Sequence, residues 1–313
     1  MKGIISCCIC ASEKIYFKDK FWVCSDCGYE TAGIFNLSEL ENYYNKDDPG
    51  SRIQTFLENT LDGKLRKYHN TVLQRLGSDD ASKLQACDIG CSTGTFAYKL
   101  KKMGFNVFGY DVERDHVNLA RNKYGLTNIH YAKTFREYCQ KIGVGQNFFD
   151  IITMFELIEH LPDINLFLEE VTAFLKPGGL LVISTPNSRR LKIKESWNYP
   201  PIHLSRFNCD NLKMLLNKFG FDVQLLEFYN ELGYYSNNLI HKTRFSRSFV
   251  QSIMTSGSNK KTENFIRLKL RVLIQLKSFI CKIIDIPLFL FLLIKKEWGH
   301  TMIIIARKTN KQS

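Results

Sequence analysis

From Leu84 onward the apolar residues of this chain fall into short runs closed by glycine, proline or an acidic residue, and the stretches between them carry apolar positions three and four apart. Short runs bounded by turn residues read as buried strands, and the spacing between them reads as amphipathic helices. Leu84–Ile89, Asn106–Tyr110, Asn128–Ala132, Phe148–Met154 and Leu180–Ser184 are the expected strands. Helices are expected over Phe96–Met103 and Asp210–Phe219, a late strand over His300–Arg307, and a helix over Gln54–Leu76 ahead of the first strand. Alternation of this kind predicts a largely parallel sheet with helices on both faces.

Two regions break the alternation. At the front, Lys14–Phe17 and Phe21–Val23 alternate well enough for a β-hairpin and lie between Cys7-Cys8-Ile9-Cys10 and Cys24-Ser25-Asp26-Cys27. Two Cys-x2-Cys pairs separated by 13 residues provide two knuckles whose thiolates close a tetrahedron around zinc. Cys7, Cys10, Cys24 and Cys27 are therefore the expected structural zinc ligands of a ribbon over residues 1–30. Four thiolates leave no open position, which argues against catalytic zinc. At the back, about 70 residues separate Phe228 from the last strand, far more than a hairpin needs. Within Asn264–Asp285 the residues Phe265, Leu268, Val272, Leu276, Phe279 and Ile283 share one helical face, and Arg267, Arg271, Gln275, Ser278 and Lys282 share the other. The apolar run Ile286–Ile294 is too short to cross ~30 Å of hydrocarbon as a helix.

Charge sharpens the second region. Residues 241–313 hold 15 Lys+Arg against 3 Asp+Glu, whereas residues 1–240 hold 28 of each, so the whole net charge of +12 sits in the C-terminal quarter. A solvated face, an anionic membrane and a nucleic acid are the three readings of such a block. Met1–Ile5 does not read as a secretory leader, and ten cysteines without one imply a reducing compartment. A cytoplasmic protein, peripheral at a membrane if the basic block docks there, is the expectation.

The most specific chemistry lies at Ala86–Gly94, Ala-Cys-Asp-Ile-Gly-Cys-Ser-Thr-Gly, followed 21 residues after Gly90 by Asp111 at the end of the second strand. Glycines in a strand-to-helix turn let backbone approach a ligand, and a carboxylate at Asp111 can accept both hydroxyls of a ribose. Ser92 and Thr95 stand where a dinucleotide fingerprint needs glycine. The Asp-x-Gly-x-x-x-Gly form resembles motif I of the class I S-adenosylmethionine-dependent methyltransferases. The tract Phe155-Glu156-Leu157-Ile158-Glu159-His160-Leu161-Pro162-Asp163, the turn Lys176-Pro177-Gly178-Gly179 and the late strand extend that resemblance over roughly 65–228 and 299–308.

The resemblance implies a Rossmann-like α/β fold with a seven-stranded, mostly parallel sheet and an antiparallel last strand. Its domains would be the zinc ribbon at 1–30, a connector at 31–53, the core at 54–228 and 297–313, and an α-helical insertion at 229–296. It assigns S-adenosylmethionine to Asp88, Gly90, Cys91, Gly94, Asp111 and Met154, with Tyr43 and Tyr44 as lid residues. A hydroxyl acceptor wants a base, and His203 and His160 sit where the substrate opening belongs. Glu156-x-x-Glu159-His160 resembles the tract by which ubiquinone-type O-methyltransferases hold a divalent metal, so Glu156 joins the catalytic set. The expected function is O-methylation of a small sugar, natural-product or quinone-type acceptor. An RNA methyltransferase and a noncatalytic, membrane-docked cofactor-binding module are the rivals. The tract after the fourth strand lacks the Asn-Pro-Pro-Tyr form used on base amino groups, which argues against nucleic acid, and no obligate protein partner is implied. The insertion is either a lid over the acceptor or, through 264–296, an element at an anionic membrane surface.

Overall fold

In the computed structural model of the chain, the structure describes residues 6–33, 65–77, 80–190, 198–230, 276, 279–287, 290 and 299–310. Tyr43, Tyr44 and most of 264–296 lie outside them. Three short strands, β1 (Ile15–Lys18), β2 (Phe21–Cys24) and β3 (Glu30–Thr31), open the fold. Then follow α1 (Lys67–Leu76), β4 (Gln85–Ile89), α2 (Thr95–Lys102), β5 (Asn106–Asp111), α3 (Arg114–Tyr124) and β6 (Ile129–Tyr131). The second half runs α4 (Phe135–Ile142), β7 (Phe149–Phe155), α5 (Ile164–Phe174), β8 (Leu175–Pro186), β9 (Ser205–Arg206), α6 (Cys209–Lys218), β10 (Phe221–Tyr229) and β11 (Thr301–Lys308).

Seven strands form one sheet in the order β10-β11-β8-β7-β4-β5-β6. β4 pairs in parallel with both β5 and β7, and β7 with β8, while β11 is antiparallel to β8 and β10. The chain thus winds outward from β4 to β6, then returns to β7 on the other side of β4. A crevice opens at the carboxyl ends of strands where the winding reverses, and ligands of such sheets bind there. The helices divide as the amphipathic pattern requires. Tyr68 and Val72 of α1, Phe96 and Leu100 of α2 and Val117 of α3 pack on one face; Tyr138 of α4, Leu168 of α5 and Leu215 of α6 pack on the other.

The expected strands appear within a residue or two, with one informative difference. β8 begins at Leu175, not Leu180, because Leu175 already pairs with Phe149 before a register shift carries the strand through Pro177-Gly178-Gly179. The cysteine ribbon also gains a strand from outside itself. Its sheet has the order β1-β2-β3-β9, and β9 pairs Arg206 with Glu30 and Ser205 with Thr31.

Candidate active site

The turn after β4 is stitched to the end of β5. Gly90 and Cys91 donate their backbone N–H to the Tyr110 carbonyl at 2.9 and 3.1 Å. Ser92 and Glu113 donate theirs to the two carboxylate oxygens of Asp111, at 2.8 and 2.9 Å. A carboxylate offers about four lone-pair sites, so Asp111 keeps capacity for a diol while being aimed by these bonds. Gly90, Ser92 and Gly94 all have positive φ, +67°, +47° and +81°, which winds the backbone tightly around the position. Gly94 has a second reason to be glycine: a Cβ there would stand 2.7 Å from the Cβ of Ala120 and 2.9 Å from Leu126 Cδ1. Close packing of α2 on α3 therefore demands it, whatever ligand lies in the turn. Asp88 is buried and accepts a bond of 2.7 Å from Thr153 Oγ1; desolvation pushes its carboxyl up to about 7, the hydroxyl bond opposing and Asp111 adding to the rise.

Beside this turn, at the ends of β7 and β8, lies a second group of polar side chains. Glu156 has φ +51°, and its carboxylate accepts a bond of 2.9 Å from Ser184 Oγ. Glu159 is 1 % exposed. One of its oxygens accepts from Thr185 Oγ1 at 3.0 Å, and the other, Oε1, has no hydrogen bond. Burial first, then the neighbouring Glu156 charge, raise the Glu159 carboxyl well above the ordinary range. His160 Nδ1 lies 2.8 Å from the Ile202 carbonyl and His203 Nδ1 lies 3.1 Å from Asn198 Oδ1. The Ile202 carbonyl can only accept, so His160 carries its proton on Nδ1, and His203 Nδ1 is held by Asn198 in the same way. The rings meet edge-on with centroids 4.7 Å apart. Burial, then His160, Arg190 and Arg206, depress His203 to about 2, so it stays neutral and holds a proton poorly. Ligand atoms of Glu159, His160 and His203 lie within 4.8 Å of one another.

Glu159 and His203 line a cavity of about 210 Å³ together with Asn187, Arg190, Asn198, Arg206 and Asp19. Asp19 comes from the β1–β2 turn, so the ribbon forms part of this wall. Its attachment is specific. Arg206 Nη1 donates to Glu30 at 2.9 Å, with both side chains mostly buried, and its guanidinium lies 4.0 Å from the ring centre of Phe21 and 4.5 Å from that of Tyr199. Arg206 also donates to the backbone carbonyl of Asn198, whose side chain meets His203. Asn208 and Asn211 both donate to the Cys27 carbonyl, and Tyr29 shares a bond of 2.7 Å with Ser205. Within the ribbon, Cys7 and Cys27 sulfurs are 3.6 Å apart and those of Cys10 and Cys24 are 3.5 Å apart. Thiolates at ~2.3 Å from a tetrahedral zinc stand roughly 3.8 Å from one another, so the four sulfurs fit that ion; Cys8 is not in the group.

The structure thus brings Asp88, Gly90, Cys91, Gly94 and Asp111 into one turn, and Glu159, His160 and His203 into one cluster. Two of the expected residues lie outside these groups. Met154 is fully buried in the core, so its side chain offers no surface to a cofactor. Glu156 accepts from Ser184, and the residues whose ligand atoms gather are Glu159, His160 and His203. Asp19, Arg190 and Asn198 escaped the sequence reading. Arg190 carried a signal, lying four residues beyond the end of β8; a hairpin-tip aspartate carries none.

Residues 61–226, more than half of the chain, match the family described as Methyltransferase domain. The ubiquinone biosynthesis O-methyltransferase of Bradyrhizobium diazoefficiens is 34% identical over 128 residues, 40% of this chain and 48% of that protein. Its namesake in Bartonella tribocorum is 33% identical over 176 residues, 50% of this chain and 67% of that protein. The chain spans about half the length of the first of these curated relatives. Among solved structures, the Haemonchus contortus phosphoethanolamine N-methyltransferase 2 in complex with S-adenosyl-L-methionine has a TM-score of 0.53 at 14% identity, covering 89% of this chain and 61% of that one; that likeness is one of fold. With the motif order, the sheet topology and the match over more than half its length in agreement, the chain belongs to the methyltransferase domain family.

Proposed function

We propose that the protein transfers a methyl group from S-adenosylmethionine to an oxygen of a small molecule held between the carboxyl edge of the sheet and the cysteine ribbon. The observation that carries this reading is the cluster of Glu159, His160 and His203, in which Glu159 and His203 are buried and line a cavity and one Glu159 oxygen has no hydrogen bond. Methyl transfer is an in-line displacement, so the chain's task is to align the acceptor and manage one proton. Asp111 and the backbone of Gly90–Gly94 hold the nucleoside, and the sulfonium supplies the methyl group. A neutral His203 depressed to about 2 is a weak base by itself. It is better suited to accept a hydrogen bond from the acceptor hydroxyl, or to serve as a ligand.

A divalent cation fits the cluster: Glu159, His160 and His203 would hold it, each histidine oriented by a second oxygen as metal ligands are. Such an ion would polarise the acceptor hydroxyl and lower its pKa. It would also neutralise the carboxylate whose burial is otherwise unfavourable. Zinc in the ribbon would be structural, with Cys7, Cys10, Cys24 and Cys27 as its ligands. The names of the curated relatives favour a quinone-pathway intermediate as acceptor, and a cavity that combines charged and amide side chains with apolar surface suits a ring bearing polar groups. A sugar or other natural product meets the same wall.

Transfer of a labelled methyl group to a panel of catechols, phenols and sugars tests the reading. An oxygen acceptor should be methylated, chelation should lower turnover, and Glu159→Gln should remove the dependence on added metal. Saturable cofactor binding with no transfer to any class would favour a noncatalytic binding module. Transfer to RNA with steep salt dependence would return the nucleic-acid reading.

A further inference from the structure

Residues 279–287 form a helical segment, and 276 and 290 are helical as well. With 3.6 residues to a turn, Phe279, Ile280, Ile283, Ile284, Ile286 and Leu290 fall within one arc of roughly 160°. Each of these six is between 46 % and 62 % exposed. Cys281 and Asp285 lie on the opposite side and are 1 % and 5 % exposed. The order is the reverse of an ordinary surface helix, whose apolar stripe faces the core and whose polar residues face water. Here the apolar arc faces outward. An apolar surface of this size on a soluble chain marks a contact with something else.

The charge of the sequence on either side of the segment points to what that contact is. Residues 241–297 contain 12 Lys+Arg and 3 Asp+Glu, and Lys282, exposed, borders the apolar arc. A second copy of the chain would bring two such positive blocks together, whereas a bilayer of anionic phospholipid offers the complementary charge and an apolar interior at one surface. Among the described residues no helix is long and apolar enough to cross a membrane, so the segment would lie in the plane of the interface. We propose that residues 276–290 dock the protein on an anionic phospholipid membrane, the apolar arc entering the boundary between headgroups and acyl chains while the positive charge of 241–297 attracts the phosphates. This docking is separate from the methyl-transfer reading and stands or falls without it.

Sedimentation of the full-length protein with vesicles of phosphatidylglycerol and phosphatidylcholine, against phosphatidylcholine alone, tests the docking. Anionic vesicles should retain at least about tenfold more protein than neutral ones at low salt, since each nearby lysine or arginine is attracted to the lipid phosphates. Raising the salt should weaken retention and leave a residue from the apolar contact. The combined Phe279→Ser, Ile283→Ser and Ile284→Ser variant, altered at exposed positions, should lose at least about tenfold in retention. Its melting temperature and its affinity for S-adenosylhomocysteine should match the wild type. A protein left in the supernatant with anionic vesicles at low salt would overturn the proposal, as would a triple variant retained like the wild type. A dimer that ignores vesicles and that the three substitutions dissociate would assign the face to a second copy instead.

Discussion

Asp88 sits at the carboxyl end of β4 with its side chain out of water, and that placement has a pH signature. Desolvation raises its carboxyl to about 7, against roughly 4 in an unfolded chain. The folded form therefore binds the proton more tightly between those values, and stability from this group is complete below about pH 4 and is lost as pH rises through 7. Melting of the cofactor-free protein between pH 5 and 8 should fall more steeply for the wild type than for Asp88→Asn; parallel profiles would contradict the buried, ionisable Asp88. Glu30 and Arg206 make a second residue-scale prediction. Both are largely buried, and removing one partner of a buried pair costs about 3–5 kcal/mol because the other charge is stranded. Glu30→Gln should lose that much in denaturant unfolding, and the double change Glu30→Leu with Arg206→Met should cost less; equal losses would mean that the pair is not acting as one. Asp111 was legible in the sequence as an acid closing a strand at the right distance from a glycine turn. Glu159's lone oxygen was not, because its partners come from β8 and from residues 198–204, and no local pattern records which of two nearby glutamates a fold will turn inward.

Elements were easier to read than their partners. β4, β5 and β7 follow from apolar runs, and α6 from its Asn208 cap, whose side chain accepts from Asp210 and Asn211 N–H groups. The β1–β2 hairpin and the cysteine pairs were equally plain. The fourth strand of the ribbon sheet was not: β9 is two residues long, too short for periodicity, and its pairing joins positions 176 residues apart in the chain. This pairing predicts a coupling between the cysteine knuckles and the wall of the cavity. Protein made under reducing, zinc-replete conditions should carry one tightly bound zinc, and Cys24→Ser should release it. Amide exchange at 204–207 should then accelerate by about tenfold or more, while β4 and β5 keep their protection. Metal analysis finding no zinc, or unchanged exchange at 204–207 in the metal-free protein, would show that the ribbon neither needs the ion nor braces the loop.

At the scale of the whole molecule, a doubly wound sheet carries the Asp111 turn and a cysteine ribbon contributes Asp19 to the wall of the cavity, while the C-terminal segment presents an outward apolar helix. The sheet and its winding were legible because alternation of strand and helix restricts topology severely. The sidedness of the helix was not, because periodicity shows that a face is apolar and leaves open what covers it. The cradle remains the point on which the account depends, since every role given to the acceptor side presumes a methyl donor bound at Asp111. Titration calorimetry with S-adenosylhomocysteine, on the wild type and on Asp111→Ala, measures this directly. The wild type should bind saturably, and the variant should bind at least about tenfold more weakly while still unfolding cooperatively, at a lower temperature because Ser92 and Glu113 lose their acceptor; hydrogen bonds to a charged group contribute roughly 1.5–3 kcal/mol each. Equal affinities, or no binding to the wild type, would contradict the assignment.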